Sequence, residues 1–205
     1  MKKKNICNSI FLIVALLIVN IVIVQAQRKN ISKPKYKLVW HDEFSDTTLD
    51  PEKWVFSRWS PLCTDKNFLA YVKDGMLILK TIKNPNINDA NNKKYIAGCV
   101  ETKGKQSFLY GKLEIRARFK NSQGSWPAIW LKPVQYRTKN DWTTTYGEID
   151  IMEHLNKDPF THITVHSYNR KFKVKDTPKF HSIAQINSDK FNTYKLEWDK
   201  NNISI

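Results

Sequence analysis

The sequence predicts an all-β protein, specifically a β-sandwich, and three observations support this fold class. Apolar and polar residues alternate with a period of two in several short segments, which is typical of strands with one buried face. Turn residues separate these segments at short intervals. No segment has a sustained period near 3.6 with helix caps, so the pattern favours two packed sheets of short strands.

The N-terminal residues are predicted to be an export signal. Three lysines precede an apolar run that ends at Val24, and Val24 and Ala26 are small residues at the positions that signal peptidase reads. We therefore expect a signal peptide over 1–26, a polar linker over 27–35 and one domain over 36–205. An uncleaved anchor helix is the alternative, but the run is short for a bilayer. The mature chain is expected to be secreted, periplasmic or on the cell surface, without stable membrane insertion.

Charge and cysteine content bear on the partners of the chain. The formal net charge is +15, and removal of the three leader lysines leaves +12. A polyanionic partner would suit this charge, but the lysines are scattered and form no basic helical stripe, so we expect no nucleic-acid partner. Cys63 and Cys99 remain in an exported chain that can oxidise them, and sequence leaves their pairing open. No Cys/His cluster indicates zinc.

The first half of the domain contains an expected strand and a hairpin. The segment 36–44 (YKLVWHDEF) predicts an opening strand that is followed by acids. In YVKDGMLILKTI, the dipeptide Asp74-Gly75 predicts a hairpin turn, with an apolar strand over 76–82 after it. The polar stretch 84–94 predicts an exposed loop.

The second half contains the clearest alternation. In YGKLEIRARF, one face is charged and the other is apolar, the apolar residues being Leu113, Ile115, Ala117 and Phe119. HITVHSY alternates as well, and YKLEWDKNNISI predicts a strand, an Asn-Asn turn and the start of another strand.

Three acids with uneven spacing stand in GEIDIMEH. Period two places Glu148 and Asp150 on one strand face, but it points Glu153 to the other face. A β-bulge at Ile151 or Met152 would return Glu153 to the face of the other acids, and bulges of this kind gather next to active sites. Glu148 and Glu153 could then bring their carboxyl groups to about 5 Å, the separation of a retaining glycosidase pair.

Crowded acids cannot all ionise freely, so repulsion and burial should raise at least one pKa among them. A protonated acid beside an ionised nucleophile is what glycoside cleavage requires. A solvent-facing acidic strand without catalytic function is the simpler alternative, but Ile149, Ile151 and Met152 indicate that the strand has a buried face. Calcium ligation is another alternative, although the spacing lacks the EF-hand pattern. We expect no cofactor and no metal.

The segment GSWPAIWL indicates a surface for sugar rings. Period two places Trp126, Ala128 and Trp130 on one face, with Ile129 and Leu131 opposite. Two indoles beside a small residue form a platform for the apolar faces of pyranoses, although either Trp could be core.

Two histidines of HITVHSY share a strand face. His162 and His166 are four residues apart, roughly 13 Å at ~3.3 Å per residue, which is too far for one metal. A hydrogen-bonding role of His166 in the cleft and a purely structural role are both left open.

These motifs together resemble glycoside hydrolase family 16, the β-jelly-roll endoglycanases. HDEF, YVKDGMLILK, ETKGKQSFLYGKLEIRARF, GSWPAIWL, GEIDIMEH and TVHSY look like family blocks in family order, and Glu-x-Asp-x-x-Glu resembles the bulged form of laminarinases. The resemblance implies a jelly-roll sandwich of two antiparallel sheets with a concave cleft. It also implies that Glu148 is the nucleophile, Glu153 the general acid/base and Asp150 a residue that orients and tunes the pair.

The resemblance further implies a monomeric, retaining endo-hydrolase of β-1,3- or mixed β-1,3/1,4-glucan. WPAIWL resembles the β-glucanase branch. A hydrolase of sulfated or neutral galactan, of the agarase, porphyranase or carrageenase type, is one alternative, and the positive charge is weak support for it. A non-catalytic glucan-binding protein is another, but three mutually repelling acids argue against a lectin. Family members continue with further strands, so we expect a C-terminally truncated domain, with 27–205 alone poorly soluble and barely active.

Overall fold

The computed structural model describes residues 36–86, 93–120, 122–134, 145–169, 174–175 and 180–205. The predicted leader and linker, and the centre of the predicted loop over 84–94, lie outside the described residues. The chain divides into two compact units, 1–39 and 40–205. The described residues of the first unit, 36–39, have no regular secondary structure. Nowhere in the described ranges is there a helix long and apolar enough to cross a membrane.

Every regular element among the described residues is a β-strand, so the predicted all-β class is confirmed. The strands in chain order are β1 Val55–Phe56, β2 Cys63–Thr64, β3 Ala70–Lys73, β4 Met76–Leu79, β5 Thr81–Lys83, β6 Tyr95–Gly98, β7 Val100–Glu101, β8 Gly111–Ala117, β9 Ala128–Leu131, β10 Thr145–Glu153, β11 Phe160–Asn169, β12 Val174–Lys175, β13 Phe180–Gln185, β14 Asn192–Trp198 and β15 Ile203–Ser204.

The strands form five hydrogen-bonded groups. The largest has the order β12-β11-β10-β9, with β13 also paired to β11, and the next has the order β15-β14-β8. The smaller groups are β1-β7, β2-β6-β5 and β3-β4. The pairs are antiparallel except β2 with β6, which is parallel.

The two larger sheets meet in an apolar core, the two-layer arrangement that the alternation predicts. Ile151 and Met152 of β10 pack with Tyr194 and Leu196 of β14, and all four are buried. The predicted apolar face of β8 lines this core, and residues of β9, β10 and β14 do so as well. The partly buried residues packed against the core are Leu113, Ile115, Ala117, Phe119, Ile129, Leu131, Ile149, Ile186 and Trp198. Because one face of β9 and β10 packs against this core, the other face of both strands points away from it.

The predicted opening strand over 36–44 is wrong, because no strand forms there. Directly after the expected strand, Asp42 turns the chain. Its Oδ1 accepts the backbone N–H of Phe44 at 2.8 Å, and its Oδ2 accepts the indole N–H of Trp54 at 2.8 Å. Phe44 takes the left-handed conformation, with φ of 52°. A backbone bent by its own side chain in this way cannot continue a ladder.

The predicted Asp74-Gly75 turn is confirmed. Both residues have positive φ, 52° and 67°, which is the requirement of a type I′ hairpin turn. The single strand predicted over 76–82 is divided into β4, which ends at Leu79, and β5, which begins at Thr81. At the residue between them, Lys80, the N–H donates to the carbonyl of Leu69 (2.7 Å) and the carbonyl accepts from Gly98 (2.8 Å), so the chain changes sheets.

The predicted strand, Asn-Asn turn and strand at the C-terminal end are confirmed as β14 and β15. Asp199 shapes the turn, because its Oδ1 accepts the backbone N–H groups of Asn201 at 2.6 Å and Asn202 at 2.8 Å. These two bonds hold the pKa of Asp199 below its usual value.

Candidate active site

The centre of β10 contains the predicted bulge. The pairing of β10 with β11 shifts register between Asp150 and Glu153, and the pairing with β9 shifts between Asp150 and Met152. Ile151 and Met152 are both 2% exposed, so two successive residues point into the core. This extra inward residue is what reverses the phase of the strand, and it places Glu153 on the outer face.

The register shows that the three acids share this outer face. Glu148, Asp150 and Glu153 lie opposite His166, Thr164 and His162 of β11, which alternate by two and therefore share a face. On the other side, Asp150 lies opposite Trp130 and Glu153 opposite Ala128 of β9. The predicted Trp126, Ala128 and Trp130 surface is thus continuous with the acids, while Ile129 and Leu131 face the core.

Asp150 is the buried member of the three acids, with 3% of its surface exposed. Its Oδ2 lies 3.1 Å from Nε2 of His166, whose side chain is half exposed. Burial, together with the charges of Glu153 and Glu148, raises the pKa of Asp150 to about 6, and His166 opposes the shift. The sequence predicted at least one raised pKa among the acids, and in the structure the pKa of the middle acid is raised.

Glu153 is held by the first predicted tryptophan. The indole N–H of Trp126 donates to Oε1 of Glu153 at 2.8 Å, although the ring is 65% exposed. The loop that carries Trp126 is fastened to the chain beyond β10 by Asn156. Its Oδ1 accepts the backbone N–H of Gly124 at 2.8 Å, and its own N–H donates to the carbonyl of Ser125 at 3.0 Å.

Glu148 is held by a lysine that was not predicted as a site residue. Nζ of Lys132 lies 3.2 Å from Oε2 of Glu148, and the lysine side chain is 6% exposed. The ammonium group lies 3.2 Å from the ring centre of Trp59 and 4.9 Å from that of Trp130. The two indoles contact each other edge to face, 5.5 Å apart. Glu148 therefore faces a cation that aromatic rings enclose.

Trp59 stands in a loop that the disulfide fastens. Cys63 and Cys99 are bonded, with Cα atoms 5.6 Å apart, which resolves the pairing that sequence left open. Beside them, the N–H of Ser57 donates to the carbonyl of Cys99 at 2.9 Å. The ion pair of Arg58 and Asp65 also connects this loop to the residue that follows β2.

Sequence reasoning missed Lys132 and Trp59 for different reasons. Lys132 continues the period-two face of Ala128 and Trp130, so its placement was available from the pattern. Trp59 lies about 70 residues before the others, outside any regular strand, and no local pattern connects it to them.

One group of side chains could be considered for a metal. Single ligand atoms of Glu148, Asp150 and His166 lie within 4.8 Å of one another. Carboxylate and imidazole donors suit divalent cations in general. Here, however, the ammonium group of Lys132 already neutralises Glu148 and would repel a second cation, so the donor set fits a metal poorly.

A β-sandwich that presents acids and indoles on one sheet face defines a class of carbohydrate-active protein. Two glutamates flank a buried aspartate, and each is held by a different partner, an ammonium group for one and an indole N–H for the other. Such differently held acids can divide the tasks of nucleophile and proton donor.

The chain belongs to glycosyl hydrolases family 16, whose profile matches residues 63–205. Among curated proteins, the keratan-sulfate endo-1,4-beta-galactosidase of Sphingobacterium multivorum is 32% identical over 82% of this chain and 40% of its own length. The beta-glucanase of Rhodothermus marinus is also 32% identical, over 80% of this chain and 60% of its own length. The chain thus spans about half the length of these relatives.

A solved structure gives the same picture. The catalytic domain of an endo-1,3-beta-glucanase (laminarinase) from Thermotoga petrophila RKU-1 superposes with a TM-score of 0.68 at 27% identity. The superposition covers 82% of this chain and 72% of that one. The fold is therefore that of family 16 jelly-roll laminarinases, as the sequence predicts.

Proposed function

We propose that the protein is a retaining endo-glycoside hydrolase that cleaves β-1,3- or mixed β-1,3/1,4-glucan. The observation that carries this proposal is the bulge in β10, because it sets Glu148, Asp150 and Glu153 on one face beside the indoles of Trp126 and Trp130. The beta-glucanase and laminarinase to which the chain is similar support the choice of a glucan.

In this mechanism, an oxygen of Glu148 attacks the anomeric carbon and forms a glycosyl–enzyme bond. The bond from that carbon to the leaving oxygen breaks, and Glu153 gives its proton to this oxygen. Glu153, now ionised, then takes a proton from water, the water oxygen attacks the anomeric carbon, and the bond to Glu148 breaks. Two displacements return the original anomeric configuration.

Asp150 is proposed to tune the pair through its proton. Its pKa of about 6 means that it is partly protonated in mildly acidic solution, which lowers the negative charge between the two glutamates. We propose that His166, 3.1 Å from Oδ2, fixes the orientation of the carboxyl group, which is the hydrogen-bonding role of the two that the sequence left open.

Trp126 and Trp130 are proposed to contact the sugar rings. Trp126 presents a largely exposed indole beside Glu153, and Trp130 stands opposite Asp150 at the edge of the acids. Apolar pyranose faces stack on such rings while hydrogen bonds fix their orientation. We further propose that the chain is exported by its leader and acts as a monomer without a cofactor.

A second candidate substrate is a sulfated galactan. The net charge of +12 outside the leader would attract a polyanion, and the Sphingobacterium multivorum relative is by name a keratan-sulfate endo-1,4-beta-galactosidase. This candidate keeps the same acids in the same roles and changes only the sugar that the cleft accepts.

A reducing-sugar assay separates the two candidates. The full-length protein is incubated with laminarin, barley β-glucan, agarose, carrageenan and keratan sulfate, and Glu148→Gln serves as the inactive control. Release of reducing ends from laminarin or barley glucan, absent in the control, supports the glucanase. Cleavage confined to a galactan or to keratan sulfate replaces it with the second candidate, and no cleavage of any polymer refutes the proposed activity.

A further inference from the structure

Lys132 is a cation in an unusual position for a lysine. It directly follows Leu131, the last residue of β9, which pairs with Ile149 of β10, and its ammonium group contacts Glu148 and Trp130. Its side chain is 6% exposed, whereas lysines normally keep the ammonium group in water. Removing an ammonium group from water is unfavourable by several kcal/mol unless other groups compensate.

Glu148 and two indoles compensate for this loss of water. Nζ lies 3.2 Å from Oε2 of Glu148, and the faces of two indoles occupy much of the remaining space around it. Glu148 itself is 22% exposed at its side chain. An ion pair enclosed in this way is weakly screened by solvent and held in one geometry.

A second Lys–Glu ion pair with the same N–O separation provides a comparison with the pair of Lys132 and Glu148. Nζ of Lys195 also lies 3.2 Å from a glutamate oxygen, Oε1 of Glu114, but these side chains are 57% and 48% exposed. Exposed pairs of this kind contribute little and exchange readily with water. Because the two pairs have the same N–O separation, burial and the surrounding indoles distinguish the pair of Lys132 and Glu148.

The indole that covers the ammonium group of Lys132 belongs to a loop outside the sheet. Trp59 has its ring centre 3.2 Å from the ammonium group, and its loop is fastened by the Cys63–Cys99 disulfide. Although Trp59 is 54% exposed, its inner face excludes water from Nζ. The disulfide thus fastens the loop of Trp59, the indole covers the lysine, and the lysine contacts Glu148.

We propose that Lys132 is a positioning residue that binds Oε2 of Glu148 and so orients the carboxylate for attack on the anomeric carbon, with Trp59 holding the lysine in place. This inference rests on the proposed function, in which Glu148 is the nucleophile. A carboxylate held in one geometry by an enclosed ion pair is pre-oriented for attack, and misplacement of a reacting group by about 1 Å can slow a reaction about 100-fold.

The test measures the nucleophilic step by itself. A 2,4-dinitrophenyl 2-deoxy-2-fluoro-β-laminaribioside forms a bond from its anomeric carbon to Glu148 and releases dinitrophenolate, which needs no proton. The rate of labelling is followed by intact-protein mass in the full-length protein and in Lys132→Met, Lys132→Arg and Lys195→Met. We expect labelling to fall about 10- to 100-fold in Lys132→Met, to recover partly in Lys132→Arg and to stay unchanged in Lys195→Met.

On laminarin, kcat of Lys132→Met should fall while KM changes less than about threefold, because the lysine acts on attack rather than on binding. Equal labelling rates in wild type and Lys132→Met would overturn the proposal. If Lys132→Met does not fold, Trp59→Leu, which alters an exposed loop, must slow labelling; an unchanged rate there overturns it equally. A wild-type protein that hydrolyses no glucan and takes no label would instead refute the proposed function.

Discussion

Replacing Asp150 with asparagine is expected to stabilise the fold at neutral pH while it lowers activity. Burial and the charges of Glu153 and Glu148 raise the pKa of Asp150 from 3.8 to about 6, so its ionised form is unfavourable in the folded state. At about 1.4 kcal/mol per pKa unit, this shift corresponds to an upper value of roughly 3 kcal/mol. Asparagine has the same shape and carries no charge.

The sign of the pH dependence follows from linkage. Between about pH 4 and pH 6 the folded protein binds more protons than the unfolded chain, so stability is greatest below the unfolded pKa and falls as pH rises through the folded pKa. The advantage of Asp150→Asn over wild type should therefore be about 1–3 kcal/mol at pH 7.5 and should vanish below about pH 4.

The assay is urea unfolding of the full-length protein at pH 7.5, 6 and 4. Asp199→Asn is the control of opposite sign, because backbone hydrogen bonds lower the pKa of Asp199 and its charge stabilises the turn. That variant should be less stable than wild type at pH 7.5 and should approach it as pH falls. An Asp150→Asn variant that is less stable than wild type at pH 7.5, or whose advantage persists unchanged at pH 4, would refute the reasoning.

Three further predictions concern the site and its support. Glu148→Ala should nearly abolish cleavage, and azide should restore turnover with an inverted anomer; NMR of the first wild-type product should show retention, and an inverted product would exclude Glu148 as nucleophile. Trp126→Phe, which removes the 2.8 Å bond to Glu153, should lower kcat at unchanged stability, and a matching loss of melting temperature would mean that the ring is structural. Replacing both Cys63 and Cys99, which are 36 residues apart, with serine should lower stability by about 4 kcal/mol in urea, and an unchanged midpoint would contradict this.

Much of the fold follows from local pattern. The alternation of β8 predicts its core face correctly, and Asp74-Gly75 predicts its turn, because side-chain period and positive φ are properties of adjacent residues. The expected opening strand does not form. At its end the carboxylate of Asp42 accepts the backbone N–H of Phe44 and turns the chain, a local hydrogen bond that hydropathy does not register.

The sequence by itself determined the family, the all-β class and the bulge that sets Glu148, Asp150 and Glu153 on one face. These features depend on strand period and residue type, which are properties of residues near one another in the chain. Tertiary structure decided which acid has the raised pKa, since burial depends on the sheets packed around Asp150. It also decided the partner of Glu148. Trp59 contacts Lys132 from a loop that is distant in the sequence, and a contact across such a separation is set by packing rather than by any local pattern of residues.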